Sequence, residues 1–148
     1  MENDGHDRAA AGQHLTPAED LAADGQRARQ EGRMILLLVS QEDCPFCQQI
    51  KEEVLLPMIK GGDHQDTLLI RELFIDFDYQ VRDFSGQWVS GNTLARRYGA
   101  WMTPSLLFLD LEGRELTKKM IGIQTPEYFY FYLDQSIREA LGRLQRRD

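Results

Sequence analysis

The stretch RMILLLVS, residues 33–40, constrains the fold of this chain more than any other, because it is a short and continuous apolar run. A strand that is buried on both faces has this composition, whereas a strand with one solvent-exposed face alternates polar and apolar residues. The run leads directly into CPFCQQIKEEVLLPMI, residues 44–59, where Ile50, Val54 and Met58 recur at helical spacing. The sequence therefore predicts a buried central strand that is followed at once by a helix.

The rest of the chain continues this alternation of strands and helices. LLIRELFID, residues 68–76, is the next predicted strand and completes a β-α-β unit. PSLLFLD, residues 104–110, and RELTKKMIG, residues 114–122, are predicted to be two strands of a hairpin with a glycine in its turn. An apolar stripe at helical spacing predicts a last helix over residues 125–147. The element order α, β, α, β, α, β, β, α predicts an α/β fold with one mixed sheet.

Local signals place several helix boundaries. Thr16 is predicted to cap the first helix, with Glu19 completing a capping box. Ser90 is predicted to cap the short helix before Gly99, and Thr125 to cap the last one. Pro57 lies inside the helix that follows the cysteines, and a proline there is expected to kink or end it.

Composition limits the class of protein. The chain has 148 residues, of which 42% are hydrophobic and 28% charged, so we expect one globular domain, over residues 16–148. Residues 1–15 are polar and lack periodicity, so we expect them to form a disordered lead-in. The net charge of −7 argues against nucleic acid as a partner. The longest apolar run, residues 34–39, is too short to span a bilayer. Composition leaves two compartments open: the cytoplasm, or an exported form whose signal was removed.

Cys44 and Cys47 are the only cysteines of the chain. If the helix begins at Cys44, that residue is the N-cap, Pro45 is the first helical residue and Cys47 is the third. The two sulfur atoms then face each other within disulfide distance, and the N–H groups and dipole of the first turn favour the Cys44 thiolate. We therefore predict that Cys44 attacks a substrate disulfide and that Cys47 resolves the mixed disulfide.

Two other uses of the cysteines are weaker. A structural disulfide between residues three apart closes a loop too small to stabilise the fold much. A structural zinc site needs four ligands, and beyond the two cysteines the chain offers only His6, His14 and His64. We therefore expect no metal and no organic cofactor.

Two separate motifs resemble the thioredoxin superfamily. One is the C-x-x-C motif that follows a buried strand and opens a helix. The other is GAWMTPSLLFLDLEGRE, residues 99–115, in which Thr103-Pro104 precedes a strand and a glycine hairpin. The resemblance covers residues 16–146 and looks closest to the small exported bacterial proteins of the SoxW type. It implies a thioredoxin fold, in which a central mixed β-sheet is flanked by helices.

The resemblance also implies a site and partners. Pro104 is expected to form a cis peptide bond opposite the cysteines, and the Thr103 backbone to pair with an extended substrate segment beside Cys44. Pro45, Phe46 and Trp101 are the remaining candidates for substrate contact. The implied activity is exchange of protein disulfides, by a monomer in the periplasm that receives electrons from a membrane thiol carrier.

The sequence departs from the family at positions that matter. Asp43 stands where thioredoxins commonly have Trp, Leu38 where they have a buried Asp, and Glu72 where they often have Lys. Lys51 is interpreted as a surface lysine. Two alternatives stay open: a non-catalytic binding module with a permanent disulfide, and a glutaredoxin-like enzyme, whose Gly-Gly-Asp turn would be misplaced here at residues 61–63.

Overall fold

A computed structural model describes residues 15–123 and 125–147 of the chain. Of the predicted lead-in, only Leu15 falls within this range, and its side chain is buried in the core. The remainder of the predicted lead-in lies outside the described residues.

The described chain has the predicted order of helices and main-sheet strands, and it has in addition two short strands, not predicted, in the connection of residues 77–93. The α-helices are α1 (Leu21–Glu31), α2 (Pro45–Ile50), α3 (Leu56–Gly61), α4 (Gly91–Arg97) and α5 (Phe129–Arg147). The strands are β1 (Met34–Ser40), β2 (Leu68–Phe74), β3 (Gln80–Arg82), β4 (Trp88–Ser90), β5 (Ser105–Leu109) and β6 (Met120–Ile121). A π-helical segment, Lys51–Leu55, joins α2 to α3, and a 3₁₀ turn, Pro126–Tyr128, precedes α5.

Four strands form the main sheet, in the order β2-β1-β5-β6. Strand β1 is parallel to β2, antiparallel pairing joins β1 to β5, and β6 pairs antiparallel with β5. The short segment 16–18 lies along the outer edge of β2, where the Ala18 N–H donates to the Glu72 carbonyl at 2.8 Å. The central mixed sheet of the predicted α/β fold is thus confirmed.

Strand β1 is the centre of two hydrophobic cores. All seven of its residues are buried, and alternate side chains enter opposite layers. Leu36 packs in the layer that contains Leu133 of α5, and Leu37 packs in the layer that contains Leu21 of α1. The burial of each such side chain contributes about 1.5–3 kcal/mol. The predicted double-sided burial of this strand is confirmed.

The first helix begins later than the sequence predicted. Its N-cap is Asp20, whose carboxylate accepts a hydrogen bond from the Ala23 N–H at 3.0 Å. Thr16 is not a cap, because its carbonyl instead accepts the Glu72 N–H at 2.8 Å. The capping-box pattern was overridden by pairing with the edge of β2, which a local pattern does not register.

The helix after the cysteines does not end at Pro57. The preceding π-helical segment shifts the hydrogen-bond ladder, so that the Leu56 N–H donates to the Lys51 carbonyl five residues back. Pro57 then falls in the first turn of α3, where a proline is tolerated. The helix ends at Gly62, whose φ of 81° places it in the left-handed region.

The long connection between β2 and α4 contains the small hairpin β3-β4. Buried Asp83 closes this hairpin and accepts hydrogen bonds from Ser85, Gln87 and Arg97. Burial acts to raise the pKa of Asp83, but the bonds from Ser85, Arg97 and Gln87 hold that pKa well below its ordinary value. Ser90 caps α4 through a bond from the Thr93 N–H, as predicted.

Two predictions near the C-terminus hold only in part. The strand predicted over residues 114–122 is reduced to Met120–Ile121 and an isolated bridge at Glu115. Thr125 stands at the predicted boundary, but its side chain makes no capping bond to the 3₁₀ turn. The stripe of the last helix packs in the core as predicted, through side chains that include Phe129, Leu133, Ile137 and Leu144.

Candidate active site

Cys44 and Cys47 form a disulfide at the start of the helix that follows β1. Cys44 is the N-cap, Pro45 is the first helical residue, and the Cα atoms of the two cysteines lie 5.2 Å apart. The Cys47 N–H donates to the Cys44 sulfur at 3.1 Å. Cys47 is fully buried, whereas Cys44 is partly exposed. A partner can therefore reach only the sulfur of Cys44, which also receives the N–H bond that stabilises a thiolate.

The sheet brings the Thr103–Pro104 loop to the same end as the cysteines. The peptide bond between Thr103 and Pro104 is cis. The next residue, Ser105, is paired with Val39 near the end of β1. The cysteine loop, residues 41–44, follows that end of the strand. The Gly122 N–H donates to the Pro104 carbonyl at 2.7 Å, which holds the loop against the residue that follows β6.

The other predicted substrate contacts differ in how accessible they are. Phe46 and Trp101 are 62% and 53% exposed, and Pro45 is exposed as well. Thr103 is partly buried and Pro104 is buried. Phe46, in the first turn of α2, and Trp101, in the loop before Pro104, thus present apolar surface at one end of the sheet, and their role in substrate binding stays a prediction.

A buried ion pair, which was not predicted from the sequence, lies beside α2 and the π-helical segment that continues it, together called the active-site helix below. Lys51 Nζ is 2.9 Å from Glu72 Oε2, and the two side chains are 15% and 3% exposed. Glu72 Oε2 has no hydrogen-bond partner among the described residues. The contact between Lys51 and Glu72 is therefore an ion pair whose angles are not those of a hydrogen bond. The same ammonium lies 5.8 Å from the centre of the Phe74 ring. Lys51 is therefore not the surface lysine that was predicted.

The register of the sheet explains this pair. Glu72 is the partner of Leu38 in the parallel pairing of β1 with β2, so both side chains lie on the face that packs against the active-site helix. Lys51, the first residue of the π-helical segment that continues α2, lies one turn after Cys47 and reaches down to the carboxylate. The one sequence signal was the acidic residue within the apolar strand LLIRELF, residues 68–74, because a buried charge needs a partner.

The described residues contain no group of three or more His, Cys, Asp or Glu side chains that could hold a metal ion. None of the helices within the described ranges is both long and apolar enough to cross a membrane.

Comparison with known families assigns the chain. The profile of the family described as "Thioredoxin-like domain" matches residues 21–137, which is most of the chain. The chain therefore belongs to the thioredoxin-like family, as its motifs suggested. No curated protein matches the sequence.

Solved structures show the same fold. A structure titled "DsbH Oxidoreductase" superposes with a TM-score of 0.61 at 17% identity and covers 86% of this chain and 88% of its own. Oxidised thioredoxin O2 from Arabidopsis thaliana gives 0.54 at 13% identity, with coverage of 84% and 96%. The oxidised C-terminal domain of DsbD from Neisseria meningitidis gives 0.53 at 12% identity, with coverage of 82% and 99%. At these identities the likeness concerns the fold.

Proposed function

We propose that the protein is a thiol–disulfide oxidoreductase that acts on protein disulfides, in the direction of reduction. The observation that carries the proposal is the asymmetry of the pair: Cys44 is partly exposed at the helix N-cap, and Cys47 is fully buried behind it. This asymmetry gives each thiol its own step, whereas a structural bridge needs no exposed sulfur.

The steps balance as an exchange of two electrons. In the reduced protein the Cys44 thiolate attacks one sulfur of a substrate disulfide, and the other substrate sulfur leaves as a thiolate that takes up a proton. Cys47, after losing its proton, attacks the Cys44 sulfur and expels the second substrate thiol. The protein ends in the oxidised Cys44–Cys47 form that the structure shows.

Trapping tests the two roles. The Cys47→Ser variant, reduced and mixed with a disulfide-bonded model protein, is expected to accumulate a one-to-one mixed disulfide that is detected by mass spectrometry. Cys44→Ser should form none, and the double variant is the matched control. If Cys47→Ser traps nothing, the pair is a structural bridge and the protein a binding module of the family.

The reduction potential tests the direction. Equilibration in graded thiol buffers, followed by alkylation and mass measurement, should give a value of about −200 to −270 mV, as in reductases and isomerases. Glu42 and Asp43 are exposed beside the N-cap, and their charges oppose the Cys44 thiolate, which favours this range over that of strong oxidants. A value near about −120 mV would reverse the proposed direction.

The compartment and the electron source complete the proposal. Because the motifs resemble exported family members, we place the protein in the periplasm as a monomer that is reduced by a membrane thiol carrier. Cell fractionation of the native protein tests the compartment, and light scattering tests the oligomeric state. Recovery of the protein in the cytoplasmic fraction would remove the membrane carrier from the proposal.

A further inference from the structure

A second exposed aromatic surface lies next to the cysteine loop and was not predicted from the sequence. Phe77 is 94% exposed in the turn that follows β2. An exposed aromatic ring next to a reactive pair offers apolar contact area to a partner, and aromatic residues are enriched at protein–protein interfaces. Among the described residues, Phe77 packs on nothing that would account for an aromatic residue at this position.

The turn that carries Phe77 is held against the cysteine loop by the backbone. The Ile75 N–H donates to the Ser40 carbonyl at 3.0 Å, which extends the pairing of β1 and β2 to the start of that loop. Both carboxylate oxygens of Asp76 lie 3.2 Å from the Glu42 nitrogen and accept its N–H. Glu42 is two residues before Cys44. The turn and the reactive sulfur are thus parts of one connected surface.

The charge of this surface has one sign. Residues 39–50 and 72–81 contain five acidic side chains and no Lys or Arg. Of these five, Glu72 forms an ion pair with Lys51, and Asp76 accepts the N–H of Glu42 in the cysteine loop. The other three, Glu42, Asp43 and Asp78, are exposed around the cysteine loop and Phe77. The raised pKa of Tyr79 fits this setting, because burial and then the negative charges of Glu19, Glu72 and Glu42 oppose its ionisation.

We propose that Phe77, Glu42, Asp43 and Asp78 form a recognition surface for protein substrates whose reactive disulfide is flanked by basic and apolar residues. The inference rests on the proposed function, since it names the substrate class of the same cysteine pair. Negative charge attracts a cationic segment and repels an anionic one, and Phe77 gives the apolar contact. The surface therefore disfavours acidic partners, including the anionic tripeptide glutathione.

Matched substrates test the preference. Two synthetic peptides share one backbone and one disulfide, which is flanked by lysines in the first and by glutamates in the second. The rate constant for reduction by the pre-reduced wild-type protein is expected to be roughly 10- to 100-fold higher for the lysine peptide at low salt. In about 0.5 M NaCl the ratio should fall towards one, because salt screens exposed charges.

Variants locate the effect on the molecule. Glu42→Gln combined with Asp78→Asn should lower the lysine-to-glutamate ratio at least about fivefold. The ratio is the readout because these charges also act on the Cys44 thiolate, and that effect is common to both peptides. Phe77→Ala should slow both peptides. The controls are Asp66→Asn and Ile59→Ala, which replace an exposed acid and an exposed aliphatic residue remote from the cysteine end of the sheet.

The outcomes separate this inference from the function beneath it. Equal rates for the two peptides, or a ratio that the Glu42 and Asp78 variants leave unchanged, would overturn the recognition surface. In either case a wild-type protein that still reduces the small neutral hydroxyethyl disulfide retains the proposed function. Failure to reduce hydroxyethyl disulfide as well as both peptides would overturn the function and the inference together.

Discussion

Replacing Lys51 by Met tests whether the buried ion pair stabilises the fold. At 2.9 Å and an effective dielectric constant of about 20, the attraction between Lys51 and Glu72 is about 6 kcal/mol before desolvation is subtracted. The pair loses much of this to desolvation, but Lys51→Met leaves the Glu72 carboxylate, only 3% exposed, without a counter-charge. We expect the free energy of unfolding to fall by about 3–5 kcal/mol.

Removing the charge of the other partner, Glu72, should lower the free energy of unfolding by less. After Glu72→Gln, the Lys51 side chain, which is already 15% exposed, can turn its ammonium group into water. We expect a loss of about 1–2 kcal/mol. The double variant Lys51→Met with Glu72→Leu removes both charges and should recover most of the stability, because apolar replacement of a buried pair is often neutral.

Urea unfolding of the oxidised protein measures these differences: the midpoint urea concentration shifts, while the slope of the free energy of unfolding against urea concentration stays constant. A loss of 3–5 kcal/mol corresponds to a fall in melting temperature of roughly 6–20 °C for a chain of this size. Lys118→Met, at an exposed position, is the control and should stay within about 0.5 kcal/mol of the wild type. The reasoning is refuted if Lys51→Met costs less than about 1 kcal/mol, or if the double variant is as unstable as the two single losses added together.

Four further substitutions test the fold by urea unfolding. Leu133→Ala, at a fully buried position, should cost about 2–5 kcal/mol, and a smaller loss would contradict its place in the core. Gly91→Ala places a Cβ in a steric clash with the Phe74 carbonyl oxygen and should cost at least about 2 kcal/mol, whereas Gly142→Ala inside α5 should stabilise by up to about 1 kcal/mol. Because the folded pKa of Asp83 is depressed, its contribution is present above the unfolded pKa of about 3.9 and is lost as pH falls through the folded value. The stability difference between wild type and Asp83→Asn should therefore narrow below about pH 4, and a constant difference would contradict the assignment.

The sequence was most informative where local chemistry decides the structure. The apolar run became β1 because every side chain in it suits a strand covered on both faces. Cys44 and Ser90 became N-caps because a side chain that accepts an N–H bond stood before an apolar helical pattern in each case. These features need only neighbours within a few residues, so a reading of the linear chain finds them.

The failures come from contacts between distant segments. Thr16 was drawn into an extended conformation by the edge of β2, more than fifty residues later in the sequence. Lys51 and Glu72 meet only because the register of β1 and β2 places Glu72 beneath the active-site helix. Asp76 reaches Glu42 for the same reason, since both follow the ends of paired strands. Periodicity indicates that a strand is buried, but not which residue of another element covers it.

The architecture also indicates where this protein can vary its specificity. A slip of β1 by one residue would exchange the side chains of two complete cores, so the register that sets the cysteine loop against Thr103–Pro104 is fixed by packing. The sulfur pair is in turn held by the helix N-terminus. Under the proposed function, we expect differences between partners to be read by exposed side chains around the cysteine pair, among them Phe46, Phe77 and Trp101 with the acidic residues beside them. Substitutions at these three aromatic residues should change the choice of partner more than the chemistry of the disulfide.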